Sequence, residues 1–386
     1  MPVRLESVMA PNGAGLSPPS TPFGTPPSMR RARLRCLALR ISFVAAVGAL
    51  AFSGSAAAAS SDQSSAYPSL AEIANGPVEI HDTALRTANG TCPHSSLSWW
   101  GGTYTTTTNE QVTVLSSASY PVDQAFSQRW ANFLASLVHG SEISQVTLCL
   151  ATPAEVSAIC GGGSDVLGCY GQNTIIAPGE DTSSIAAEAV ITHEYGHHVA
   201  LHRSNAPWAA VAWGTKRWAS YLQVCARARS HELFPGAETA LEYQFNPGEV
   251  FAEDFRVLNE ERLGLPVTPW QVVDPSLQPN QKALTLLQQD VLSPWNANRE
   301  SQISGRFSVR GSSMRTYHVA DTLDGTLAVS VTGSPHVRVQ ILSGPRVLAH
   351  GASLAQATIC GGSRSFTVRV RRTSGSGAFT LSLSRP

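Results

Sequence analysis

Five consecutive residues, His193-Glu194-Tyr195-Gly196-His197, are of the types that hydrolytic chemistry uses together. On an α-helix, residues four apart share a face, so His193 and His197 can aim both imidazoles at one cation. Glu194 then stands beside that cation, placed to take a proton from a water molecule held there. The predicted reaction class is metal-assisted hydrolysis, with one catalytic zinc ion and Glu194 as general base. Histidines in a helix can also be ordinary core residues. Here the flanks are apolar (Ala186, Ala187, Ala189, Val190, Ile191, Val199, Ala200, Leu201), and two histidines and a glutamate on one side of such a helix favour the metal reading.

A catalytic zinc takes a third protein ligand and leaves a fourth position for water or substrate. The pattern in which a Gly and a third His follow the motif at fixed offsets fails. Ala200 and Arg203 occupy those positions, His202 is one place short, and no Met stands between the motif and Met314. A second segment, Asn246-Pro247-Gly248-Glu249-Val250-Phe251-Ala252-Glu253-Asp254, offers acids instead. Pro247 and Gly248 mark the start of a helix, on which Glu249 and Glu253 share a face. One would bind zinc, and the other would accept a hydrogen bond from a ligand histidine.

The two segments together resemble the gluzincin metallopeptidases, whose second metal helix carries a ligand Glu with an acidic residue four positions later. The run Glu249-Val250-Phe251-Ala252-Glu253 is similar to that helix in the anthrax lethal-factor type. The resemblance covers about thirty residues, and it departs from the thermolysin type where Gly248 precedes Glu249. It implies Glu249 as third ligand and Glu253 as support. It also implies Tyr243, six residues before Glu249, as donor to the oxyanion. His198 is turned by about a hundred degrees from His197 and is expected toward solvent or in a supporting position. Gly196 is expected to let a neighbouring element approach closely.

Helical periodicity spans 121–138, 183–202, 208–228, 248–263 and 283–291, with Asp181, Thr182 or Ser183 available to cap the motif helix. Strands are expected over 143–151 and 173–177, the latter as an edge on which an extended peptide could pair. Strands first and helices after predict an α+β, zincin-like catalytic domain over 96–298. Beyond it, short alternating segments at 306–309, 315–319, 326–331, 337–342, 366–370 and 379–383 predict a small all-β sandwich over 303–386. Its last strands resemble the bacterial pre-peptidase C-terminal domain in pattern and position.

Residues 29–39 are basic, 41–52 apolar, and small residues follow, which predicts a secretory signal peptide over 1–59. Residues 60–95 read as linker or propeptide. The apolar run is too short for a comfortable membrane span, so a secreted or extracytoplasmic protein without a stable span is expected. Six cysteines remain after the signal, an even number that suits disulfides in an exported chain. Cys160 and Cys169 flank a Gly-rich loop and are expected to pair. Formal net charge is zero, which gives no argument for nucleic acid as a partner. The expected partner is a peptide or protein substrate, cut by a zinc-dependent endopeptidase. The alternatives are a zinc hydrolase of other substrates and a secreted binding protein that keeps a structural zinc.

Overall fold

The computed structural model describes residues 91–93, 97–161, 166–183, 185–238, 240–269, 273–362 and 364–386. The expected signal peptide, and the linker or propeptide up to residue 90, lie outside them. Fold class is mixed: a five-stranded sheet with helices, followed by two all-β sheets.

The first sheet has the order β1 (Trp99–Thr105), β2 (Gln111–Ser117), β3 (Thr147–Ala151), β5 (Thr174–Pro178), β4 (Cys169–Gly171). β1 and β2 form an antiparallel hairpin, β2, β3 and β5 run parallel, and β4 returns antiparallel to β5. Every residue of β3 and β5 is buried, as central strands covered on both faces require. The expected edge at 173–177 is therefore interior, and the short strand β4 forms that edge. The first half of the strand expected over 143–151 is instead a 3₁₀ turn, Ser141–Gln145. The hairpin β1–β2 has no counterpart in the sequence reading, because Gly101, Gly102 and a run of threonines blur its alternation.

Helix α1 (Gln124–Ser136) starts at Asp123, whose carboxylate accepts from Ala125 N. α2 (Pro153–Cys160) starts with a capping box between Thr152 and Glu155. α3 (Ala187–Leu201) carries the His-Glu motif and packs on β4 and β5. Ala186, which cannot cap, takes the cap position; Asp181 Oδ1 accepts from Ala187 N at 2.9 Å in its place. The helical stretch expected over 208–228 breaks into α4 (Ala210–Trp213), α5 (Lys216–Tyr221) and α6 (Val224–Arg229). Gly214 takes φ 73° against the Trp218 ring, where a Cβ would lie 2.1 Å from the nearest ring carbon, and Gln223 takes φ 56°. α7 (Ala240–Tyr243), α8 (Pro247–Leu263) and α9 (Gln281–Leu292) complete this part.

The two-residue strands β6 (Ser204–Asn205) and β7 (Trp208–Ala209) pair antiparallel just before α4. After α9 the chain forms eight strands: β8 (Arg299–Phe307), β9 (Met314–Asp321), β10 (Gly325–Gly333), β11 (His336–Ser343), β12 (Arg346–Gly351), β13 (Leu354–Ile359), β14 (Arg364–Ser374) and β15 (Gly377–Arg385). They make two four-stranded sheets, β13-β10-β15-β8 and β12-β11-β14-β9. Phe307, Leu327, Val339, Phe366, Val368 and Leu381 fill one core between them. β12 and β13 were not foreseen, and the segment expected at 306–309 is the end of a strand that begins at Arg299.

All six described cysteines are paired: Cys92 with Cys149, Cys160 with Cys169 as expected, and Cys225 with Cys360. Three disulfides suit an oxidising compartment. No described helix is long and apolar enough to cross a membrane.

The last disulfide ties α6 to the end of β13, and polar contacts cluster nearby. Asp324 is 4% exposed; its backbone N–H donates to Ser220 Oγ at 2.8 Å and its Oδ1 accepts from Gly361 N at 2.7 Å. Burial pushes its carboxyl up to about 6, against the pull of the Gly361 N–H and of the Arg364 and Lys216 charges. An acid raised in the folded state contributes stability fully below its unfolded pKa and loses it as pH rises through the folded one. Asp324→Asn keeps an acceptor and cannot ionise. It should exceed the parent by about 2–3 kcal/mol at pH 7.5, with the gain shrinking toward zero as pH falls to about 4. Urea unfolding at both pH values reads this; a variant weaker than the parent at pH 7.5 would mean the ionised carboxylate is needed beside Lys216.

Candidate metal centre

α3 and α8 bring the motif residues together. Gly196 of α3 lies against Ala252 of α8, so closely that a Cβ there would sit 2.9 Å from Ala252 Cα. This is the close approach expected of Gly196. It lets the two helices meet with His193 and His197 facing Glu249. α8 is fixed at its start by Asn246, whose Oδ1 accepts from Gly248 N at 2.9 Å and Gly236 N at 3.1 Å. Gly248, the departure from the thermolysin pattern, has a local reason: a Cβ there would lie 2.5 Å from the Val211 carbonyl oxygen.

Glu249 Oε2 stands 3.3 Å from His193 Nε2 and 3.4 Å from His197 Nε2. Ligand atoms about 2.1 Å from a tetrahedral metal ion are separated by about 3.4 Å, so these two distances suit a bound cation. All three ligand atoms lie within 4.8 Å of one another, and the group could hold a metal ion.

Glu253 sits behind the cluster. Its Oε2 is 3.5 Å from His193 Nδ1, at the edge of hydrogen-bonding range, and accepts from Arg256 Nε at 2.5 Å. Arg256 Nη1 also donates to Glu260 at 2.6 Å. Glu253 thus faces the far side of the ring, where a supporting carboxylate belongs, and Glu249 faces the near side. Burial alone would favour neutral forms here. Without metal, contact with Glu249 and Glu253 outweighs burial at His193 and raises it to about 10. The His197 charge and bonds to both rings hold Glu249 well below the usual carboxylate range despite burial. His193 and Arg256 likewise outweigh burial at Glu253 and lower it to about 2.

Tyr243 Oη donates to Glu249 Oε2 at 2.8 Å. Burial and the Glu249 charge push its pKa far up, so the hydroxyl stays protonated. His193, Glu194, Tyr243 and Glu253 share one cavity of about 500 Å³ with the apolar Leu167 and Val190. Gly168, just before β4, lies against Glu194: a Cβ there would be 2.9 Å from Glu194 Oε1 and 2.8 Å from Val190 Cγ1. The sequence reading missed this residue, whose only signal was a glycine beside the paired Cys169.

His198 does not face solvent. Its Nε2 is 2.9 Å from the Glu142 carbonyl oxygen and its Nδ1 3.1 Å from Tyr170 Oη, and burial lowers its pKa to about 4. α3 is covered on nearly all sides, so a ring turned away from the metal face meets core. His202 Nε2 reaches Asn173 Oδ1 at 2.7 Å. Arg203, at the place where a third histidine was sought, pairs with Glu142 at 2.9 Å.

No protein-family model and no curated protein matches the chain. Among solved structures it is similar to the pre-peptidase C-terminal domain of a collagenase from Bacillus anthracis, at 14% identity over 22% of this chain and 88% of that one, TM-score 0.19. It is also similar to PliG, a periplasmic inhibitor of g-type lysozyme from Aeromonas hydrophila, at 15% identity over 23% and 88%, TM-score 0.19. A third is the Yersinia pseudotuberculosis-derived mitogen, at 10% identity over 23% and 87%, TM-score 0.20. At these scores none carries an argument about activity.

Proposed function

We propose that the chain is an exported, zinc-dependent endopeptidase, with His193, His197 and Glu249 as ligands and Glu194 as general base. The observation that supports this most is the His193-His197-Glu249 group, of which His193 lines the same cavity as Glu194. When bound, zinc would lower the pKa of water toward about 7 and polarise a scissile carbonyl. Glu194 takes a proton from the attacking water and hands it to the leaving amine. Glu253 holds the His193 ring in orientation. Tyr243 is the candidate donor to the oxygen that becomes negative: it lines the same cavity as Glu194, and its hydroxyl would turn to that oxygen from Glu249 Oε2. The edge strand β4 could pair with an extended substrate through its backbone.

A structural zinc in a binding protein would close around four protein ligands. The described group offers three, which ranks that reading second. The test is peptide hydrolysis by the zinc-loaded chain and its loss in Glu194→Gln. A substrate profile without peptide cleavage would point to a hydrolase of other substrates.

Gly168 gives a second expectation. Gly168→Ala places a methyl group against the Glu194 carboxylate and should shift it by several tenths of an ångström. A displaced base should lower kcat by about 10–100-fold, with zinc content unchanged because the three atoms nearest an added methyl belong to Val190, Glu194 and Ile176, none of them a proposed ligand. Steady-state rates beside metal analysis test this, and a parental kcat would show that Glu194 tolerates the shift.

A further inference from the structure

A formal charge of zero conceals a division along the chain. Residues 299–386 carry eleven arginines against three acids, Glu300, Asp321 and Asp324. Residues 60–298 carry ten basic residues against twenty-three acids. The positive end is patterned. On the outer side of sheet β12-β11-β14-β9, Arg338 stands opposite Arg371, and Gln340 opposite Arg369, which in turn faces Thr316. Thr367 faces His318, and His350 faces Gln340. Arg338, Arg369, Arg371, His318 and His350 are exposed. No Asp or Glu occupies any of these positions.

The three arginines have no structural work. Among the described residues none of the three has an ion-pair or side-chain hydrogen-bond partner, whereas the adjacent Arg372 donates to Ser308 O at 2.6 Å and covers the Phe307 ring. Like charges directly opposite on neighbouring strands destabilise a sheet, so the Arg338–Arg371 pair costs the fold something. Strand geometry anchors the three side chains about 5–8 Å apart. Guanidinium groups at that spacing suit successive carboxylate or sulfate groups on an extended polymer, each taken by a two-pronged hydrogen bond. No Phe, Tyr or Trp stands among these positions, so the face lacks both the stacking platform of single-strand nucleic-acid binders and the aromatic anchors of a lipid interface.

We propose that this face binds a linear anionic polysaccharide through Arg338, Arg369 and Arg371, and so holds the chain on an acidic extracellular matrix or coat. The inference stands independently of the metal centre. The experiment titrates the full mature chain with heparin as probe and neutral dextran as control, across a salt series. Heparin should bind at about 0.15 M salt and weaken steeply as salt rises, and dextran should not bind. Arg338→Gln/Arg369→Gln/Arg371→Gln should weaken heparin binding at least about tenfold and flatten the salt dependence. Arg310→Gln, which removes a charge outside the array, should stay within about twofold. Thermal unfolding should show the triple variant no less stable than the parent; if it is less stable, the single variants Arg338→Gln and Arg371→Gln carry the test, each expected at about threefold. Unchanged affinity in the arginine variants would overturn the proposal. So would tighter binding to phosphatidylglycerol vesicles or to a single-stranded oligonucleotide than to heparin.

Discussion

Glu194→Gln should bind zinc as the parent does and hydrolyse peptide about 10²–10⁴-fold more slowly. The two side chains have nearly the same shape, so the close approach of Gly168 to this side chain survives the exchange. What is lost is, among the described residues lining the cavity, the carboxylate that is neither in the His-His-Glu group nor paired with Arg256. The three ligand atoms come from His193, His197 and Glu249, so metal content should not follow activity down. Elemental analysis and initial rates on the same preparation separate the possibilities. Zinc lost with activity would make Glu194 a ligand, and turnover retained at the parental rate would place the base elsewhere.

The ligand set itself gives the largest effect on metal. His193→Ala, His197→Ala and Glu249→Ala each remove one of three donors and should abolish stoichiometric zinc. Glu253→Gln should keep zinc but bind it about 10–100-fold more weakly, because its carboxylate supports the His193 ring from behind. Competition against a chromogenic chelator measures both. Zinc retained by Glu249→Ala and lost by Glu253→Gln would reverse the two assignments, and zinc absent from the parent would remove the peptidase reading altogether.

Much of the centre was legible because helical spacing is rigid. Four residues separate His193 from His197 and Glu249 from Glu253, and each pair falls on one face whatever surrounds it. Spacing did not decide which glutamate meets the metal; that depended on how α8 docks, through Gly196 against Ala252 and Gly248 beneath Val211. Gly168 was invisible for a related reason: its role is set by Glu194, twenty-six residues later, across a strand. The hairpin β1–β2 lacked a clean two-residue alternation, and the breaks at Gly214 and Gln223 are left-handed turns inside an otherwise helical pattern. The solvent alternative for His198 failed because an angle on a helical wheel says nothing of what covers that side. The C-terminal strands were easier, since alternation survives in most of them, but β12 and β13 are short, and β13 turns only two alanines and an isoleucine inward.

The Cys225–Cys360 bond joins positions 135 apart in sequence and spans the whole segment that joins α9 to β8. The exported peptidase proposed above would meet other proteases, and its own kind, in the medium. A single cut in that joining segment would open the chain without parting it: the metal-bearing half and the arginine-bearing half would stay covalently one molecule. A nicked copy would therefore remain tethered wherever its sandwich is held, and only a reductant would set its two halves free.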